Sequence, residues 1–325
     1  VSRHPSRSAR SIVAPRLVAP CLAVAVLLAA CAHAPSRPDG GDPYAGPPPG
    51  APAVRFAPGV IPEGRAFAAA LTPDARTLVF TYSVRAERVL ELWTTRFENG
   101  RWTPPRQAPF ARGFRAADPF LSRDGRRLYF SWDRPRPGMA ADTSVDFDTW
   151  VVERTASGAW GEARHVGDAA HSPASDMYPG VARDGTLYFD SMRPGLPARR
   201  NVWRARLVNG AYGAAEPLPR EINDSTAGAS NPYVDPDERY IIFTSARAGS
   251  VGTNADLWIS YRKPDGSWGE PRNLGPRVNT PASEFCPTVS PDGRWLLFSR
   301  IRSENGQPVA DDVYIVGIDV LPPPG

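Results

Sequence analysis

Three carboxylates set the chemical question for this chain. Asp118, Asp176 and Glu284 stand in three copies of one repeat, at two neighbouring positions just ahead of a short apolar run. The Pro or Ala five residues before each turn aspartate serves as reference: Ala69, Pro119, Pro179, Pro232 and Pro287. The residue before it is Ala68, Asp118, Tyr178, Asn231 or Cys286, and two residues earlier stand Ala66, Ala116, Asp176, Ala229 and Glu284. Alternate residues of a strand share a face. One mouth of the domain is therefore expected to present Asp118, Asp176, Tyr178, Asn231 and Glu284. Such a ring can do three things. A facing pair of carboxylates can hydrolyse a glycoside, one as acid and one as base or nucleophile. A cluster of oxygens can hold Ca²⁺. Hydrogen-bonding groups at a solvated funnel can bind a ligand or a partner's peptide.

Other chemistries fail on inventory. The four histidines are His4, His33, His165 and His171, and no HExxH is present. There is no G-x-S-x-G elbow, no phosphate-binding loop and no dinucleotide fingerprint. Cys286, flanked by Phe285 and Pro287 with no histidine at a matching position, reads as a small buried hydrophobe.

The elements that must position these residues are hairpins. Copies run over 71–83 (LTPDARTLVFTYS), 121–133 (LSRDGRRLYFSWD), 181–192 (VARDGTLYFDSM), 234–247 (VDPDERYIIFTSAR) and 289–302 (VSPDGRWLLFSRIR). Pro-Asp-Gly favours a tight turn, and the apolar, aromatic run after it has strand composition. The turn aspartates Asp74, Asp124, Asp184, Asp237 and Asp292 are 50, 60, 53 and 55 residues apart. Ala75 and Glu238 replace the turn glycine in copies one and four, where looser turns are expected. A third strand follows at Trp93, Trp150, Trp203, Trp258 and Tyr314, and a fourth with Trp102, Trp160, Tyr212 or Trp268. Four short strands in each of five repeats predict an all-β, five-bladed β-propeller. The fifth copy carries only three strands. Phe56 lies 12 residues before Ala68, as Leu274 lies 12 before Cys286, so residues 54–57 are expected to close the ring. The turn aspartates and the polar residues ahead of the third-strand aromatics are expected to be structural.

Upstream of the repeats, Arg3, Arg7, Arg10 and Arg16 precede an apolar run ending at Cys31. This pattern predicts a signal peptide over 1–30. The mature chain would then hold 34 of the 38 basic residues against 34 acidic ones. No basic surplus remains for nucleic acid, despite an overall pI near 9.1. Residues 31–53, rich in Pro and Gly, are expected to be an extended tether, leaving 54–325 as the propeller.

Two resemblances carry further expectations. Residues 28–31 (LAAC) resemble the bacterial lipobox, which implies lipidation of Cys31; Ala32 in place of Asp implies anchoring on the periplasmic side of the outer membrane. The PDG hairpins followed by Asp-Val-Tyr314 or its variants resemble the WD-like propeller repeat of the TolB family, over about residues 54–320. That family has six blades and an added amino-terminal domain, so a six-bladed ring is the alternative. Five-bladed propellers of arabinanase and fructosidase type place three carboxylates on inner strands of different blades. Their diagnostic motifs are absent here, apart from a slight likeness at 115–119 (RAADP). The expectation is a monomeric, non-enzymatic envelope lipoprotein that binds a protein or glycan at its funnel mouth, without cofactor unless Ca²⁺ occupies the acidic mouth. The alternative is a carbohydrate-active enzyme using Asp118, Asp176 and Glu284.

Overall fold

The computed structural model describes residues 41–140, 146–251, 254–305 and 307–324. The expected signal peptide and Cys31 lie outside these residues. Each hairpin supplies the first two strands of a four-stranded antiparallel blade, and the described residues form five blades rather than six. The inner strands are Ala66–Leu71, Ala116–Leu121, Asp176–Val181, Ser230–Val234 and Ser283–Val289, numbered here as blades 1 to 5. Val54–Arg55 pairs with Ile315 and Tyr314 and forms the outer strand of blade 5, so the start of the domain closes the ring. Phe56 N–H extends this seam by donating to the Val313 carbonyl at 2.8 Å.

The turn chemistry explains why the repeat is so regular. In blades 1, 2 and 5 the hydroxyl of Thr72, Ser122 or Ser290 donates to the turn aspartate at 2.6 Å. That aspartate in turn accepts the N–H two residues on, from Arg76, Arg126 or Arg294. Such local side-chain bonds satisfy the turn and fix the hairpin register. In blade 4 the task moves to Asp235, which accepts from the Asp237 and Arg239 N–H groups. Ala75 and Glu238 keep the left-handed backbone of the glycine they replace, at φ 55° and 54°. The turns in copies one and four are therefore not looser, because Asp74 holds the first and Asp235 the fourth.

The core lies between blades. Phe80, Phe130, Phe189, Phe243 and Phe298, one per second strand, are essentially fully buried. Val79 and Leu92 of blade 1 meet Leu128 and Phe130 of blade 2. Equivalent clusters join blades 3 and 4, 4 and 5, and 5 and 1. Blade 2 reaches blade 3 through Val166 and Ala170 of the connecting segment.

The tether expected over 31–53 is corrected in its second half. Tyr44 is only 2% exposed and packs on Trp295 with ring centroids 6.2 Å apart. Trp102 Nε1 donates to the Pro43 carbonyl at 3.2 Å, and Ala53 N–H donates to Arg277 O at 3.1 Å. A Cβ on Gly46 would fall 2.3 Å from the Trp295 ring, so only glycine lets the chain pass there. Residues 43–53 thus form a strap across the seam where the ring closes. Prolines with preset φ lose little entropy on docking, and the buried Pro43, Tyr44 and Pro47 hold a segment that shows no strand or helix periodicity.

A candidate site on the propeller axis

Each inner strand breaks its pairing register at the same place. The shifts fall between Phe67 and Ala69, Ala117 and Phe120, Met177 and Gly180, Ser230 and Tyr233, and Phe285 and Thr288. The extra residue is Ala68, Asp118, Tyr178, Asn231 or Cys286, and all five are left-handed, with φ between 49° and 57°. In four blades the following residue is proline, which has no N–H to give the ladder. A β-bulge is the result, and a bulge re-aims the side chain it carries. These five residues and the Pro or Ala after each line a narrow cavity on the axis.

The bulge N–H groups are satisfied by a belt between blades. Ala68 N–H donates to Ser299 Oγ at 2.9 Å, Asp118 N–H to Thr81 Oγ1 at 3.0 Å and Tyr178 N–H to Ser131 Oγ at 3.1 Å. At the next junction Asn231 N–H donates to a carboxylate, Asp190 Oδ2, at 3.0 Å. Cys286 N–H completes the belt on Asn231 Oδ1 at 3.4 Å. Asp190 is a buried carboxylate behind the axial residues that reading the inner strands alone does not find. Its signal is nonetheless in the sequence: the residue after the second-strand Phe reads Thr81, Ser131, Asp190, Thr244 and Ser299, and only one carries charge. Arg200 Nη1 pairs with Asp190 at 2.8 Å.

Asp118 differs from all of these. It is 3% exposed, and neither carboxylate oxygen has a hydrogen-bond partner among the described residues. Burial pushes its pKa from the usual carboxylate range up to about 7; the Asp190 charge adds to the rise, while the Ser131 hydroxyl and Arg200 oppose it. Buried polar groups are rarely left unpaired, so this one calls for an explanation. Asn231, by contrast, spends its amide on Asp190 and on the belt. Cys286 is buried and its thiol is free. Burial, then the nearby Asp118 charge, raises its pKa well above the ordinary thiol value, which suits an inert hydrophobe.

Asp176 and Glu284 do not join this ring. The bulge interrupts the alternation that was expected to put them on one face with Tyr178 and Cys286. Asp176 accepts from Ser172 N–H at 2.7 Å and from Arg193 Nη2 at 3.1 Å. Glu284 accepts from Thr280 Oγ1 at 2.6 Å and from Arg300 Nε at 2.7 Å. Both are fully buried, and neither lines the axial cavity. The expected acidic mouth, and with it the proposed Ca²⁺ seat, is therefore replaced by two blade-internal ion pairs. The arginines are part of a recurring device that the repeat pattern did not disclose. Arg193 stacks on Phe189 and Trp203, Arg247 on Phe243 and Trp258, and Arg300 on Phe298 and Tyr314. Each also donates to a carbonyl of the loop entering its own blade, at Ala170, Ile222 or Val278.

One further cluster, Asp148, His165 and His171, has metal-ligand composition and spacing. Its bonds argue otherwise. His171 Nε2 accepts Thr149 N–H at 2.9 Å while Nδ1 faces Gly167 O at 3.2 Å. Asn223 and Asn279 meet Val202 and Leu257 in the same way in blades 3 and 4. His171 is thus a neutral stand-in for asparagine, and burial lowers its pKa to about 4. Arg136 occupies both oxygens of Asp148.

Fold and site together define a five-bladed β-propeller with a buried carboxylate, Asp118, on its axis. No protein-family model matches the sequence, and no curated protein matches it. Among solved structures the chain is similar to an α-L-arabinofuranosidase from Lactobacillus brevis, at 16% identity and TM-score 0.51, over 79% of this chain and 92% of that one. It is similar to a thermostable family-43 glycoside hydrolase at 13% identity and TM-score 0.51, over 81% and 92%. TolB from Acinetobacter baumannii aligns at 16% identity and TM-score 0.43, over 78% of this chain and 54% of that one. The two hydrolase likenesses are of fold alone.

Proposed function

We propose that the chain is a non-catalytic binding propeller, held in the cell envelope through Cys31 on the periplasmic side of the outer membrane, that takes a protein or glycan partner at its funnel mouth. One observation carries the choice against catalysis. Of the three carboxylates that could have formed a glycosidase site, Asp176 and Glu284 are bonded to arginines, and only Asp118 lacks a partner among the described residues. Glycoside hydrolysis needs an acid and a second carboxylate about 5–9.5 Å apart across a sugar-sized cleft. The axial cavity, about 40 Å³, holds roughly three waters at about 10–15 Å³ each and no sugar ring. The envelope assignment rests on the basic and apolar residues before Cys31 and on the PDG repeats.

The test is retention of a partner from solubilised envelope extract by the full chain. Ala68 sits at the bulge position in blade 1, so Ala68→Leu should fill the channel without adding charge. Loss of the retained partner in Ala68→Leu is the expected result; equal retention by both proteins would contradict the channel as the binding site. Labelling with a palmitate analogue should disappear in Cys31→Ser, and persistence of the label would contradict the anchor.

A further inference from the structure

The face that carries the PDG turns is unevenly charged. In blades 1 and 2 the turn-side loops 72–76, 96–103, 122–127 and 153–160 hold seven arginines against four carboxylates. In blades 3 to 5 the matching loops, 182–186, 205–212, 235–239, 261–269, 290–294 and 317–321, hold six basic residues against seven acidic ones. Pairing sharpens the contrast. Two residues after the turn aspartate, Arg239 pairs with Asp235 at 2.8 Å and Arg294 with Asp292 at 2.7 Å. Arg76 and Arg126 hold the same position in blades 1 and 2, are exposed, and enter no ion pair among the described residues.

Both line one open groove of about 560 Å³, together with Arg96 and Arg154. Arg154 donates to the Gly125 and Gly158 carbonyls and lies over the Trp160 ring, so its charge is held in place without a carboxylate. Three carboxylates share the groove. Asp74 and Asp124 each already accept from a turn hydroxyl and a backbone N–H, and Glu98 comes no nearer to Arg96 than 4.0 Å. The groove therefore keeps a positive balance and exposed guanidinium forks, which match phosphate oxygens. The point where the chain enters the domain narrows the choice of anion. A Cβ on Gly41 would lie 3.3 Å from the Gly100 carbonyl, in the hairpin whose Phe97 and Glu98 line the groove. Ten residues separate Gly41 from Cys31, a reach of at most about 35 Å. A lipid on Cys31 would keep this edge close to a bilayer surface, whereas no comparable tie exists to a free phosphate.

We propose that the turn face of blades 1 and 2 seats on an anionic phospholipid surface, with lipid phosphates in the groove between Arg76 and Arg126. This rests on the Cys31 anchor given above and adds an orientation to it: the start of the inner strands faces away from the membrane, open to a partner. Each exposed arginine at such a surface tightens attachment by about fivefold, an effect that fades over a Debye length of about 8–10 Å.

The experiment puts a fluorescent label on Ala156→Cys, in the exposed turn-side loop of blade 2, in the lipidated chain on vesicles that carry a lipid-borne quencher. Cys286 is buried and does not compete for the label. Vesicles of phosphatidylcholine alone are compared with vesicles of equal parts phosphatidylcholine and phosphatidylglycerol, so the anchor is the same on both. Quenching is expected on the mixed vesicles and should be lost on phosphatidylcholine, in about 0.5 M NaCl, and in the Arg76→Gln, Arg126→Gln double variant. A label on Met139→Cys, exposed in the loop between the second and third strands of blade 2 and so on the opposite face, should stay unquenched. Removing the same charge from blade 3, by Arg183→Gln with Arg206→Gln, should leave the Ala156 signal in place. Equal quenching on both kinds of vesicle or in the double variant overturns the proposal, as does quenching of the Met139 label instead. Binding of inorganic phosphate that needs Arg76 and Arg126, with no preference for anionic vesicles, overturns it in favour of a small-anion site. Should the chain carry no lipid, cosedimentation with the mixed vesicles decides. Retention weaker by about twentyfold or more in the double variant keeps the groove and discards only the anchor; equal retention discards the groove.

Discussion

Asp118→Asn should make the protein more stable at pH 8, by up to about 4 kcal/mol, and should make little difference at pH 4. The sign follows from linkage. Asp118 has a folded-state pKa of about 7 against 3.8 for the free side chain. Between those values the folded state holds a proton that the unfolded state has released. Stability therefore falls as pH rises through this window and is flat above it. About three units at about 1.36 kcal/mol each set the ceiling. Asparagine is neutral and of the same shape, so it removes the titration without opening a cavity. Urea unfolding of both proteins across pH 4 to 8 reads the difference directly. A gap that does not grow with pH would mean that Asp118 finds a partner in solution that the fold does not show. Asp190, Asp176, Glu284 and Asp311 are also raised by burial, so wild-type stability should keep some slope of the same sign after the substitution.

Arg300→Met should cost about 3–5 kcal/mol, because it strands a fully buried Glu284 carboxylate without its cation. The loss also includes stacking on Phe298 and Tyr314 and a donor to the Val278 carbonyl. Adding Glu284→Gln should recover a good part of it, since glutamine needs no counter-charge and can still accept from Thr280. A double-mutant cycle by denaturant unfolding measures that recovery.

Much of this was legible in the sequence, and the failures have physical causes. The blades could be read because each hairpin repeats one turn chemistry, and the ring closure because Phe56 and Leu274 keep the same distance to their inner strands. Both are indeed buried. The strap escapes such a reading because its buried residues, Pro43, Tyr44 and Pro47, are irregularly spaced, whereas periodicity detects only repeated burial. Within the site, Asp118, Tyr178 and Asn231, where the copies disagree, line the axial cavity. Asp176 and Glu284 were placed there by strict alternation, and a left-handed residue at each bulge breaks that alternation. Asp190 was hidden inside the most regular part of the repeat, where a charge in a column of hydroxyls carries more information than its strand context suggests.

The central claim is that this channel binds and does not hydrolyse. The direct test is release of reducing sugar by the full chain from arabinan, fructan and aryl glycosides, compared with Asp118→Asn, Asp176→Asn and Glu284→Gln. No release above the buffer blank is expected for any of the four proteins. Turnover by the wild type that Asp176→Asn or Glu284→Gln abolishes, with the variants still folded, would contradict the binding role.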